Sequence, residues 1–149
     1  MAKLQVELVT AEERKVSGEA DFVIAPGLEG ELGILPRHIP LMTPLRPGEV
    51  MVRNDGHEEH LFVAGGFLQV LPDKVVILAD AAERAEEIDE QRAEEARKRA
   101  QEALQRSDLS AQESLEYAAA LERAMFRLRV AEVRRRRGTR VPPEQRPGG

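Results

Sequence analysis

The sequence has no cysteine and no tryptophan, and only 3% of its 149 residues are aromatic. Without cysteine there is no disulfide framework and no thiolate chemistry, a composition that fits a reducing compartment. No run approaches the ~18 consecutive apolar residues of a membrane span, so any membrane association must come through a partner. The opening MAKLQVELVT lacks the basic end and apolar run of a signal peptide. Catalytic motifs are missing as well: there is no G-x-S-x-G elbow, no Walker loop and no G-x-G-x-x-G. No residue is assigned a catalytic role, and independent enzyme activity is not expected. Histidine occurs only as His38, His57 and His60. The last two belong to a hairpin with no third ligand nearby and read as surface residues, so no metal site is expected.

Positive charge is short where a nucleic-acid binder would need it. Residues 1–80 hold 7 basic and 13 acidic side chains, residues 81–133 hold 9 and 13, and residues 134–149 hold 6 and 1. A duplex-binding domain carries its basic patch on the folded part, so nucleic acid is not expected as a partner. The length suits one compact domain or a small domain with an appendage.

What is present divides into two periods. Leu4, Val6 and Leu8 alternate with Gln5 and Glu7, the pattern of a half-buried strand. DFVIAP is a second apolar run. EVMVRNDGHEEHLFVAGG sets Asn54, Asp55 and Gly56 between two strand patterns as a hairpin turn, and FLQVLPDKVVILA repeats the device at Pro72 and Asp73. Gly65 and Gly66, between two strands, read as a bend or bulge rather than a phosphate cradle. Many short strands with Gly/Pro punctuation predict an antiparallel sandwich or barrel.

After residue 80 the period becomes helical. Asp80 and Glu83 have the spacing of a capping box. Ala81, Ala85, Ile88, Ala96, Ala100, Ala103 and Leu104 mark one stripe. RSDLSAQE interrupts it, and Ser110 with Glu113 forms a second box. Leu115, Ala118, Leu121, Ala124, Met125 and Leu128 are expected to face inward from a second helix. Two helices joined by so short a link run antiparallel if they pack. The expected fold is an N-terminal antiparallel β-sandwich (residues 1–80), a C-terminal antiparallel two-helix hairpin (81–134) and a basic disordered tail (135–149).

The alanine stripe carries a physical consequence. An alanine buries about one methyl, worth roughly 0.8 kcal/mol, against ~1.5–3 kcal/mol for a leucine. A hairpin zipped by alanines is compact and weakly held. Its arginines leave two readings open from spacing alone. Arg92 with Arg99, and Arg123 with Arg127, share helical faces and could converge beside Asp89 on a polyphosphate. The commoner arrangement is a solvated surface with Glu95–Arg99 and Asp89–Arg92 pairs.

GELGILPRHIPLMTPL together with VAGGFLQVLPDKVVILADAAERAEEID closely resembles the epsilon-subunit family of the F-type, proton-translocating ATP synthase, and the resemblance covers residues 4–133. It implies a non-catalytic regulatory subunit at the foot of the rotor, against the gamma subunit and the ring of c subunits. The complex would lie peripherally at the cytoplasmic face of the cell membrane. In the ELGILPRH segment Glu31 is a candidate contact for the ring, beside plain solvation, and His38 one for gamma. The resemblance further implies a hairpin that rests on the sandwich or extends to the catalytic alpha/beta head and blocks ATP hydrolysis. Some members hold ATP, unhydrolysed and as a regulatory ligand, through I-D-x-x-R-A and arginines of the last helix. Ile88, Asp89, Arg92 and Ala93 match that motif; RAMFR supplies Arg123 and Arg127, and Glu83 and Arg99 match further positions. The basic tail lies outside the family pattern, and Ala64 stands where serine is common, a mild change. The rival readings are a stalk adaptor that binds no nucleotide and, further off, a free-standing nucleotide-binding module.

Overall fold

The computed structural model describes residues 2–139, with side chains through residue 133. Ten strands come first: β1 (Leu4–Val9), β2 (Arg14–Ala20), β3 (Phe22–Gly27), β4 (Gly30–Ile34), β5 (Leu41–Leu45), β6 (Gly48–Asn54), β7 (His57–Val63), β8 (Gly66–Leu71), β9 (Lys74–Ala79) and β10 (Ala82–Arg84). A 3-10 turn at Ala85–Glu87 leads into α1 (Glu90–Leu104) and α2 (Ala111–Thr139). The strand order is β10-β7-β6-β3-β5-β8-β9-β1-β2, with β4 on β3, and β3 meets β5 only at Gly27 and Leu45. Folded over at that joint, the strands form a sandwich whose single core draws Leu4, Leu8, Ile34, Leu61, Leu68 and Ile77 from both layers. The expected sandwich followed by a helical hairpin is what the chain forms. One pairing differs from the antiparallel expectation: β1 runs parallel to β9. Such a pair needs a long crossover, and nearly the whole domain separates these two strands.

Local sequence accounts for the turns. Asp55 and Gly56 both have positive φ, 50° and 82°, and Asn54 pairs with His57, which makes a two-residue hairpin turn of the kind Asp-Gly favours. The Asp21 carboxylate accepts from the Asp55 amide at 2.7 Å and pairs with Lys3 at 2.6 Å, and these partners hold it below the usual carboxylate range. Pro72 and Asp73 turn β8 into β9. Gly65 and Gly66 do mark a bend, with φ of 127° and 144°, and Gly66 is squeezed between β5 and β9. His60, expected as a plain surface residue, is half-buried, and its ring nitrogens contact Glu49 and, at 2.9 Å, Glu58.

The helix start departs from expectation. Asp80 and Glu83 do not cap a helix, because Ala82–Arg84 pair instead with Leu61, Phe62 and Val63 along β7. That pairing satisfies the backbone groups of an otherwise open edge, which outweighs a local capping preference. The helix begins at Glu90, where the Asp89 carboxylate accepts from the Arg92 amide at 3.1 Å. The second box is present as expected: Ser110 Oγ accepts from the Glu113 amide at 3.1 Å, and Glu113 accepts from the Ser110 amide at 3.2 Å. α2 continues to Thr139, into the expected tail; the rest of that tail lies outside the described residues.

The inward stripe also needs correction. Ala85, Ile88, Ala100 and Ala124 are buried, and Ala96, Ala103, Leu104, Leu121 and Leu128 are half-buried. Ala81 and Ala118, however, are exposed, as are Leu115 at 72% and Met125 at 51%. On the described part of the helices, the buried positions not anticipated are Ala93, Val130 and Ala131. α2, at 29 residues, outruns the 15 of α1, so its later turns bury Val130 and Ala131 with Phe62, Ala85 and Ile88 rather than with α1. Among the described residues no helix is long and apolar enough to cross a membrane.

A Cβ on Gly66 would lie 2.1 Å from the Leu78 carbonyl oxygen and 2.9 Å from Ala79 Cα. Gly66→Ala should therefore cost about 3 kcal/mol or more. Chemical denaturation checks this: the midpoint should fall at unchanged slope, and a loss below about 1 kcal/mol would mean that the passage relaxes.

Candidate functional site

Of the expected ligand residues, Glu83, Ile88, Asp89 and Arg127 lie where the hairpin meets the sandwich, while Arg92, Arg99 and Arg123 lie along the helices. Glu83, on β10, accepts from Arg127 of α2 at 3.1 Å, both side chains half-buried. This pair fastens the long helix to the last strand. The Arg127 Nε–H is buried with no hydrogen-bond partner among the described residues, so its guanidinium is only partly satisfied. Asp89 caps α1, and Ile88 is buried in the cluster that contains Val130 and Ala131. Phe126 packs on that cluster with Arg129 over its ring, 5.2 Å from the centroid.

Arg92, Arg99 and Arg123 are exposed and, among the described residues, have no ion-pair partner. The Glu95–Arg99 and Asp89–Arg92 side-chain pairs of a solvated surface are not formed; the Asp89 carboxylate is engaged by the Arg92 backbone. Arg97 takes the ion pair on α1 instead, with Glu94. Helical geometry puts the three free arginines on one side. Successive residues turn by ~100°, and Arg92, Arg99 and Arg123 each directly precede a buried alanine: Ala93, Ala100 and Ala124. α1 packs chiefly on α2, so those alanines mark the helix–helix contact. In two antiparallel right-handed helices, positions one residue before the contact project to the same rim. Arg127 follows Arg123 by one turn and continues that rim toward Glu83. The arrangement presents several guanidinium forks along a single edge, a donor set suited to a polyphosphate.

The other candidate residues lie elsewhere, on the sandwich. Glu31 is exposed on β4. His38 sits in the β4–β5 loop, where its amide donates to the Leu35 carbonyl at 3.1 Å and its ring Nδ1 lies 2.7 Å from the Ile39 carbonyl. Arg37 holds a positive φ of 68° there and donates its amide to the Pro72 carbonyl at 2.7 Å. This braced loop displays Leu35 and Ile39, the latter 79% exposed. Sequence reasoning missed a second apolar surface. Strand register aligns Pro44, Phe67, Leu78 and Val9 across β5, β8, β9 and β1, and Phe67 and Leu78 are exposed. Its signal was available: VVILA is apolar at every position, so both faces of β9 are apolar and the outer one needs a partner.

Fold and site together define a class, a β-sandwich subunit with a helical hairpin laid against it. Residues 3–85 match the family described as ATP synthase, Delta/Epsilon chain, beta-sandwich domain, and residues 86–132 match its long alpha-helix domain. The chain belongs to this ATP synthase delta/epsilon chain family. An ATP synthase epsilon chain of Dehalococcoides mccartyi is 53% identical over 136 residues, covering 91% of this chain and 97% of that one. That of Herpetosiphon aurantiacus is 50% identical over 134 residues, covering 90% and 98%. Among solved structures, a chain of the Euglena gracilis mitochondrial ATP synthase superposes with a TM-score of 0.76 at 23% identity, over 90% of this chain and 82% of that one. A chain from the central stalk and c-ring of the Tetrahymena thermophila mitochondrial ATP synthase gives 0.58 at 13% identity, over 87% and 96%.

The Glu83–Arg127 pair yields a direct expectation. Glu83→Ala leaves a half-buried guanidinium without its carboxylate, a loss of about 1–2 kcal/mol. Trypsin should then cut the arginine-rich helices roughly tenfold faster, since cleavage tracks the open population. Equal cleavage rates would show that the pair does not hold the hairpin.

Proposed function

We propose that this chain is a non-catalytic central-stalk subunit of a proton-translocating ATP synthase, whose sandwich joins gamma to the c-ring and whose hairpin restrains ATP hydrolysis. The solved neighbours, described as ATP synthase c-ring and central-stalk assemblies, support this placement. The exposed row of Phe67 and Leu78 and the braced loop with Glu31 and His38 supply two separate faces, one for gamma and one for the ring. The complex would be peripheral at the cytoplasmic face of the membrane.

The regulatory reading rests on one observation: unpaired guanidiniums line one rim of a weakly held hairpin. Arg92, Arg99 and Arg123 lack ion-pair partners among the described residues, and Arg127 has an unsatisfied N–H. These residues fit ATP as a bound ligand, with Ile88, Asp89 and Glu83 completing the site and no metal required. ATP would supply phosphate oxygens to accept from the arginines. Saturation at about 100 times the dissociation constant adds roughly 2.7 kcal/mol to the folded hairpin. The three alanines buried between the helices, Ala93, Ala100 and Ala124, contribute a similar amount at ~0.8 kcal/mol each. Nucleotide therefore acts as a latch that keeps the hairpin off the alpha/beta head. A second reading, a switch driven by contact alone, is favoured by Glu83, which already occupies part of Arg127.

Calorimetric titration with ATP separates the two. Arg92→Ala and Arg123→Ala touch exposed side chains, so the fold should persist while affinity falls tenfold or more, because charge-assisted bonds are worth about 1.5–3 kcal/mol. Asp89→Ala should also weaken α1 by about 1 kcal/mol through its lost cap. Unchanged affinity in both arginine variants leaves the contact-driven switch.

Deleting residues 88–149 keeps every strand and removes the hairpin. In the reconstituted complex this should raise ATP hydrolysis while proton pumping is retained. Equal hydrolysis with and without the hairpin, across ATP and salt concentrations, would end the inhibitory reading.

A further inference from the structure

β2 and β10 stand at opposite ends of the strand order, yet a cluster of charges joins them. Lys15 of β2 is only 8% exposed, an unusual position for a lysine, which is rarely buried unless paired. Its ammonium lies 2.8 Å from Glu87 and 2.7 Å from Glu13. The Arg84 guanidinium donates to the Lys15 carbonyl, and the Arg84 amide donates to the Glu87 carboxylate at 3.4 Å. Arg84 also lies 3.6 Å from Glu59 of β7. Residues 82–87 are thus fastened to β7 by strand pairing and to β2 by ion pairs.

Past Glu87 the strand pairing and the ion pairs stop; Ile88 is buried with Phe62, Ala85, Val130 and Ala131, and its amide donates to the Ala85 carbonyl at 3.4 Å. Ile88 and Asp89 are extended, with φ/ψ of −72°/125° and −83°/99°, and belong to neither strand nor helix. The Asp89 carboxylate caps α1 and travels with it. Beyond them, the hairpin is held to the sandwich side by Glu83–Arg127 and by Val130 and Ala131 against Phe62 and Ala85. Two extended residues outside strand and helix therefore separate two internally bonded bodies.

We propose that the hairpin turns about Ile88–Asp89, and that Lys15–Glu87, clasped by Arg84, is the mount holding residues 82–87 to the sandwich while the helices move. The proposal rests on reading the hairpin as a moving part. With the mount in place, release breaks Glu83–Arg127 and uncovers Phe62, while β10 stays paired to β7. With the mount cut, the short β10 has only three residues of pairing and peels away with the helices.

Hydrogen exchange of the full chain, read by mass spectrometry, tests this. Residues 82–87 should exchange with the sandwich and more slowly than α1 and α2. In Glu87→Gln and in Lys15→Met the same residues should exchange with the helices, about tenfold faster or more, and the double variant should add little. If Lys15→Met unfolds the sandwich, the near-isosteric Glu87→Gln carries the test. Residues 82–87 exchanging with the helices in the unaltered protein, or unmoved by Glu87→Gln, would overturn the mount alone. Helices and sandwich exchanging as a single unit would overturn both the hinge and the moving hairpin.

Discussion

The pairing of Ala82–Arg84 along β7 is the constraint on which the other parts depend. It closes an open sheet edge, buries Ala82 and delays the first helix until Asp89 can cap it. By holding Glu83 at a set position, it gives Arg127 an acidic partner and thereby anchors α2. It also carries Arg84 to where the two sheet edges meet. Three residues of strand thus determine where the rigid body ends and the helical part begins.

The hairpin's energetics follow from what α2 touches. Its alanines meet those of α1 and contribute little each, while Val130 and Ala131 meet Phe62 and Ile88. A helix that divides its apolar residues between two surfaces is held by neither strongly. Leu115 and Met125 remain in water in this docked state, and the proposed movement of the helix would give them another surface to meet. Among the described residues Arg92, Arg99 and Arg123 on the rim have no ion-pair partner in the same state. Weak apolar contact and unspent charge are the two ingredients of a part whose position a ligand can bias.

The sandwich is built for contact rather than chemistry. Its interior is filled by aliphatic side chains from every strand, while its outer face carries an apolar row and one end carries a braced loop with exposed Leu35 and Ile39. A free domain gains nothing from either surface. Under the proposed rotor placement, partners on two sides would account for both.

Features made by neighbours in sequence were legible without coordinates. The alternation in Leu4, Val6 and Leu8, the Asp55–Gly56 turn, the Gly65–Gly66 bend and the Ser110–Glu113 box all depend on backbone preferences within a few residues. The motif residues of the hairpin could be named for the same reason, since their spacing and their resemblance are both written along the chain. Tertiary structure alone decided where strand yields to helix, because Asp80 and Glu83 could cap a helix until residues 61–63 offered an edge to pair with. It also decided which stripe of α2 is dry. A helix offers the same apolar positions to any partner, and only the presence of two surfaces, α1 and the sandwich, buries Ala124, Val130 and Ala131 while leaving Leu115 and Met125 in water.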